Sequence, residues 1–211
     1  IKFLIKFWDN PDRDLVEKCA KLLVDKISEI NFKIIGIPLI IQGHAKAYKN
    51  KIDENFENEM ENLDILSIFE KIIESYLTTQ FPQLQGTIYT KDPLPFHTYL
   101  AVFHLFNKSV ANAIFGYNFY SVQWPMDQIA QYGLIIYDKD GKFYFKHQTY
   151  AEYLVAVFVY NLMNSNETPQ LNFIIKILTT ASFQGVRMFL DLMLNKVDKV
   201  IIIFPIPGDA E

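Results

Sequence analysis

The sequence predicts a mainly α-helical fold with one β-hairpin. Apolar residues recur at helical spacing through most of the chain, most clearly at Ile65, Ile68, Phe69, Ile72, Ile73 and Tyr76. A single clear strand signal stands against them: Leu134 to Tyr137 is apolar, Asp138-Lys139-Asp140-Gly141 carries the Asp-Gly mark of a tight turn, and Phe143 and Phe145 alternate with polar neighbours. Half of the 211 residues are hydrophobic, enough for a sizeable core in one domain or two small ones.

In chain order, residues 1–8 are apolar with Lys2 and Lys6 interspersed, which suits a helix end or a strand equally. Asn10 and Pro11 supply an N-cap and a first helical residue, and Leu15, Cys19, Leu22, Leu23 and Ile27 extend a helix from Pro11 to about Ile30. Pro38, preceded by Gly36, can open a helix that runs to Tyr48, because the amide it lacks would be unpaired there. No Ser, Thr, Asp or Asn stands immediately before Pro38, so its first-turn amides are open to a ligand or another domain. Gly43 within that helix costs about 1 kcal/mol against Ala. Residues 49–62, rich in Asp and Glu, read as a solvated loop, followed by the long amphipathic helix from Asn62 to about Leu77.

Pro82, Gly86, Pro93 and Pro95 place a subdomain boundary near residue 85. Helices are expected over 96–106, over 107 to about 116, and over 125–132 with Gly133 as the stop. The hairpin follows, and then Thr149 and Glu152 stand in the spacing of a capping box, so a helix should run from Tyr150 to Met163. His147 then lies just outside a helix N-terminus, where unpaired amides and the helix dipole favour an anion. Three short helices and a ribbon make a winged-helix plan. Beyond a polar connection at 164–170, an antiparallel helical hairpin is expected over 171–181 and 184–194, and the apolar, proline-broken stretch 201–207 reads as neither helix nor clear strand.

Several functions are excluded or disfavoured. The net charge of −4 argues against a nucleic-acid partner, since phosphate neutralisation needs clustered Lys and Arg, and residues 125–132 contain neither. Cys19, the sole cysteine, sits on an apolar helical stripe, so neither a disulfide framework nor a zinc site is expected. His97 and His104 stand seven apart where helical metal pairs stand at three or four, and no metal ligand set is assigned. No apolar run approaches the roughly 20 residues of a membrane span. A cytoplasmic location is expected. No G-x-x-x-x-G-K-[ST] loop, serine elbow or close carboxylate pair occurs, so no catalytic residue is assigned.

The residues FKHQTYAEYLVA, Phe145 to Ala156, resemble the end of the winged-helix domain in NACHT-type proteins of the STAND class of signalling NTPases, where Phe-x-His precedes an aromatic, a Glu and a small, apolar helix. Gly36-Ile37-Pro38 resembles the G-x-P motif that opens a helix in the lid subdomain of the same family, although the family's helix usually continues with large apolar residues and Ala-Glu, whereas here it reads Gly43-His44-Ala45-Lys46. The resemblance implies a helical lid subdomain over 1–85, a winged-helix domain over 86–163 and the start of a second helical domain over 164–211. It further implies that Pro38 packs on the adenine and His147 reaches the phosphates of bound ADP or ATP. The nucleotide, with Mg, would be held mainly by a P-loop domain absent from this chain. The partners it implies are that domain, C-terminal repeats and, when active, further copies of the protein. The function so implied is control of nucleotide-dependent oligomerisation in signalling of the innate-immune or stress type. The reading from another class is a ligand-free helical scaffold that binds proteins through its winged helix.

Overall fold

The structure, a computed structural model, describes residues 1–8, 12–29, 43, 45–48, 52, 55–80, 93–116, 134–165 and 171–196. It is mainly helical with one two-stranded antiparallel sheet, as the sequence predicts. Pro38, the expected caps Asn10 and Pro11, the expected helix over 125–132, the boundary near residue 85 and the stretch 201–207 lie outside the described residues.

Residues 1–8 resolve as a helix, α1 (Lys2–Phe7). In α2 (Arg13–Glu29), Asp12 does the capping: its Oδ1 accepts the N–H of Leu15 at 3.0 Å, satisfying a first-turn amide that the helix cannot. The stripe Val16, Cys19, Ala20, Leu23 and Ile27 is buried. The expected loop over 49–62 instead carries a helix, α3 (Phe56–Glu61). Its two apolar residues, Phe56 and Met60, are one turn apart and both buried, and Phe56 meets Trp8 and Tyr48 edge to face. The glutamates face outward, Glu57 to Lys18 at 2.8 Å and Glu59 to Lys71 at 2.7 Å. Asp64 then caps α4 (Ile65–Gln80) through the N–H of Ser67 at 2.7 Å.

The centre of the molecule is α7 (Gln148–Asn164), buried at every residue from 149 to 156. It packs against α4, against α5 (Pro93–Leu105) and against α9 (Gln184–Lys196). An aromatic cluster joins three of these: Phe69 of α4 stacks on Tyr153 of α7 at 5.5 Å and meets Phe189 of α9 at 4.8 Å. On the other side, α6 (Lys108–Phe115) is capped by Asn107, whose Oδ1 accepts from the Val110 amide, and Gly116 ends it at φ 84, a backbone conformation natural to glycine.

The ribbon pairs β1 (Ile135–Tyr137) with β2 (Phe143–Phe145) in the register Ile135 to Phe145. Asp138 organises the turn, its Oδ1 accepting the amides of Asp140 and Lys142, and Gly141 adopts φ 78. Alternation then divides the ribbon: Ile135 and Phe145 enter the core while Ile136 and Tyr144 face out.

The C-terminal helices do not form the expected antiparallel hairpin. α8 (Leu171–Thr179) and the segment that continues through a 3-10 turn (Ala181–Phe183) into α9 meet at a 92° corner. Arg187 locks the corner by donating to the carbonyl of Ile177 at 2.8 Å, in the last turn of α8, and to that of Thr180 at 2.6 Å, which also accepts the Phe183 amide. Phe183 stacks on Phe106 beneath it. Among the described residues no single helix is long and apolar enough to cross a membrane.

Candidate functional site

The site is built on the first turn of α7. Lys146 extends the ribbon by one hydrogen bond, donating its amide to Leu134, and His147 follows with extended backbone. The imidazole Nδ1 of His147 accepts the N–H of Thr149 at 3.3 Å and lies 2.7 Å from the Thr149 hydroxyl. His147 is therefore the N-cap. The capping box expected of Thr149 and Glu152 does not form, and the helix begins two residues earlier than its spacing implies. The ring nitrogen serves the amide of Thr149, whereas a capping box would have had the Thr149 hydroxyl serve the amide of Glu152. Glu152 instead takes a hydrogen bond from Gln148 at 2.8 Å and is buried against α9.

This cap sets the tautomer. A nitrogen that accepts an amide N–H carries no proton, so the ring proton resides on Nε2, which becomes a donor. His147 is half-buried, and no described residue accepts from Nε2.

The third residue of α7, Tyr150, stands edge-on to His147 at 6.4 Å and tilted against Tyr76 of α4 at 6.1 Å. Tyr150 is fully buried, yet its hydroxyl has no hydrogen-bond partner among the described residues. Burial, with a contribution from Tyr76, pushes its pKa far above the ordinary tyrosine value, so it is a neutral donor.

Tyr76 is the meeting point of two cations. Lys146 from the wing and Lys46 from the helical residues 45–47 each place an ammonium 5.0 Å from its ring centroid, and the Lys46 ammonium is also 3.5 Å from the Tyr76 hydroxyl. The two ammonium groups are thus no farther apart than twice that distance. Burial lowers the Lys146 pKa, and the Lys46 charge lowers it further. The backbone that carries Lys46 is held on two sides. Trp8 donates its indole N–H to the Ala45 carbonyl at 2.8 Å, and Gly43 lies so close to Ile72 that a β carbon there would stand 2.7 Å from it.

Of the two site residues predicted, His147 is the N-cap of α7 and Pro38 lies outside the described residues. Lys46, Tyr76, Lys146 and Tyr150 were missed. The adjacency of Lys146 to His147 at a strand end that feeds a helix is a local signal for Lys146 alone; Lys46 and Tyr76 join it only through tertiary packing. His97 is fully buried and His104 packs on Phe143 and Phe145, so the two do not form a pair. Among the described residues no cluster of His, Cys, Asp or Glu could hold a metal ion.

No protein-family model, curated protein or solved structure matches the chain. What the site does has to be read from its own chemistry. It offers an Nε2–H donor, a buried neutral phenol and two ammonium groups close to a helix N-terminus, donors of the kind an anion takes.

Proposed function

We propose that the chain is the regulatory part of a NACHT-type signalling ATPase, closing over ADP or ATP and controlling nucleotide-dependent oligomerisation. The observation that carries the reading is the His147 cap: it fixes the imidazole at the wing's end and leaves Nε2–H as a phosphate donor beside the N-terminus of α7. Pro38 would pack on the base. The P-loop and the Mg²⁺ it binds with ATP would come from a segment outside these 211 residues. In this reading the closed arrangement contacts ADP better than the open one does, so exchange of the nucleotide releases the winged helix and permits self-assembly.

The test uses the complete protein and the variant His147→Asp, which retains an N-cap acceptor but places a negative charge where the phosphate would lie. Loss of one charge-assisted hydrogen bond, on the order of 1.5–3 kcal/mol, should weaken ADP retention tenfold or more and raise spontaneous assembly. Unchanged ADP retention in a correctly folded variant overturns the reading.

One observation favours the alternative of a ligand-free interaction scaffold. Ile136 and Tyr144, cross-strand partners on the ribbon's outer face, are 52% and 46% exposed. A wing that binds a protein through this pair would lose that partner on Ile136→Lys, whereas nucleotide retention would be unaffected.

A further inference from the structure

We infer that α4 is built to part from α7, and that the Tyr150 hydroxyl supplies the bias: the closed joint buries it with no bonding partner among the described residues, and opening returns it to water. The inference goes beyond the nucleotide reading and stands without it, since it concerns the joint alone.

α4 is tied to the N-terminal part of the chain. Its Lys71 pairs with Glu59 of α3 at 2.7 Å and donates to the Tyr48 hydroxyl, and Gly43 lies against its Ile72. α7 is instead packed into α5, α9 and the ribbon. The contact between the two sides is aromatic: Phe69 of α4 meets Tyr150, Tyr153 and Phe189, and Tyr76 meets Tyr150. Burial of these rings holds the joint shut. Lys196 of α9 also reaches Asp64 at the head of α4 at 2.9 Å, but both partners are exposed and such a pair adds little.

Tyr150 works against this closure. Its ring centroid lies 6.1 Å from those of both Phe69 and Tyr76, which places it in the joint itself. Burial raises its pKa, so the group enclosed is a neutral hydroxyl and not a charge. A hydroxyl buried without a partner forfeits the hydrogen bonds that water gave it, whereas a phenylalanine ring in the same place would forfeit none. Parting of α4 from α7 restores those bonds. The hydroxyl therefore lowers the stability of the closed joint at a point where its ring strengthens it, as suits an element that has to move. His147 stands edge-on to the same ring, so any ligand that engages it only in the closed arrangement acts against the bias.

The experiment follows native-state hydrogen exchange of the 211-residue chain. A detached helix of 16 residues is marginal in water, so the amides of α4 lose protection when the joint opens. In the parent they should exchange at least about tenfold faster than those of Leu154 to Ala156, whose release needs the core around α7 to unfold. Tyr150→Phe should slow the α4 amides about tenfold and raise the thermal midpoint. Tyr153→Phe, in the same cluster but at a residue that keeps 8% exposure, should not slow them. Equal exchange of α4 and α7 amides in the parent would mean that the joint has no opening of its own, and overturns the inference. A Tyr150→Phe chain that is less stable than the parent, or whose α4 amides exchange no more slowly, overturns it too, because the hydroxyl would then be bonded. An equal slowing in Tyr153→Phe does the same.

Discussion

The carboxylate of Glu152 fills the space that a β carbon on Gly185 would need: such a carbon would stand 2.2 Å from Oε2 and 2.3 Å from Cδ. This contact sets how closely α9 approaches α7. An alanine at 185 would gain about 1 kcal/mol in helix propensity, but Glu152 is buried and held by Gln148, so it cannot yield without breaking that bond and repacking the seam. Overpacking of this kind costs about 1–3 kcal/mol. Gly185→Ala is therefore expected to lower the urea midpoint. Adding Glu152→Ala should return at least about 1 kcal/mol relative to the sum of the single changes, because the two residues are in direct contact. Additivity of the two would show that the contact does not govern the seam.

Gly43 poses the same question with a less yielding neighbour. A β carbon there meets Cδ1, Cγ1 and Cγ2 of Ile72 at 2.7–3.1 Å, and Ile72 is buried and stiff at χ1. The propensity gain of about 1 kcal/mol for Gly43→Ala is expected to be outweighed, giving a net loss of about 1 kcal/mol. Ile72→Val removes the nearest of these carbons, so the double variant should melt above Gly43→Ala alone. A Gly43→Ala protein more stable than the parent would mean that Ile72 relaxes freely.

These two glycines mark where sequence reading stops. The glycine at 43 reads locally as a propensity penalty, and only the closeness of Ile72, far along the chain, explains it. Long periodic stripes such as Ile65 to Tyr76 were legible because a helix writes its buried face at fixed spacing, and the hairpin was legible because Asp138 and Gly141 carry turn chemistry. The helix over Phe56–Glu61 was not, since two apolar residues in a run of glutamates are too short a pattern and its stability comes from Trp8 and Tyr48. The cap at His147 was read two residues late because imidazole is outside the usual set of N-cap side chains. The Lys46, Tyr76 and Lys146 cluster is wholly tertiary, so nothing local announces it.

His104 gives a pH test. Its ring is tilted against Phe143 and Phe145, and burial lowers its pKa below the ordinary value of 6.5. The unfolded chain therefore takes up this proton at a higher pH than the folded one, so stability rises with pH across the interval. The contribution is complete above about pH 6.5 and is lost as pH falls through the lowered folded value. His104→Leu should flatten the part of the stability profile below about pH 6.5 that belongs to this residue. The profiles of parent and variant, compared as differences so that other groups cancel, should diverge only there. Parallel profiles would remove His104 as a contributor.

The two roles of His147 can be separated by stability alone, before any ligand is added. As N-cap it satisfies the Thr149 amide through Nδ1, so His147→Ala should cost about 1 kcal/mol, the usual loss for removing a capping acceptor. Asparagine and aspartate place an oxygen where Nδ1 lies, and aspartate adds a favourable charge at the helix N-terminus. Both should restore the denaturation midpoint to that of the parent or above it. Were alanine, asparagine and aspartate equally destabilising, the imidazole would be holding its place through ring contacts with Tyr150 rather than through the amide. The tautomer that leaves Nε2–H as a donor would then lose its structural basis.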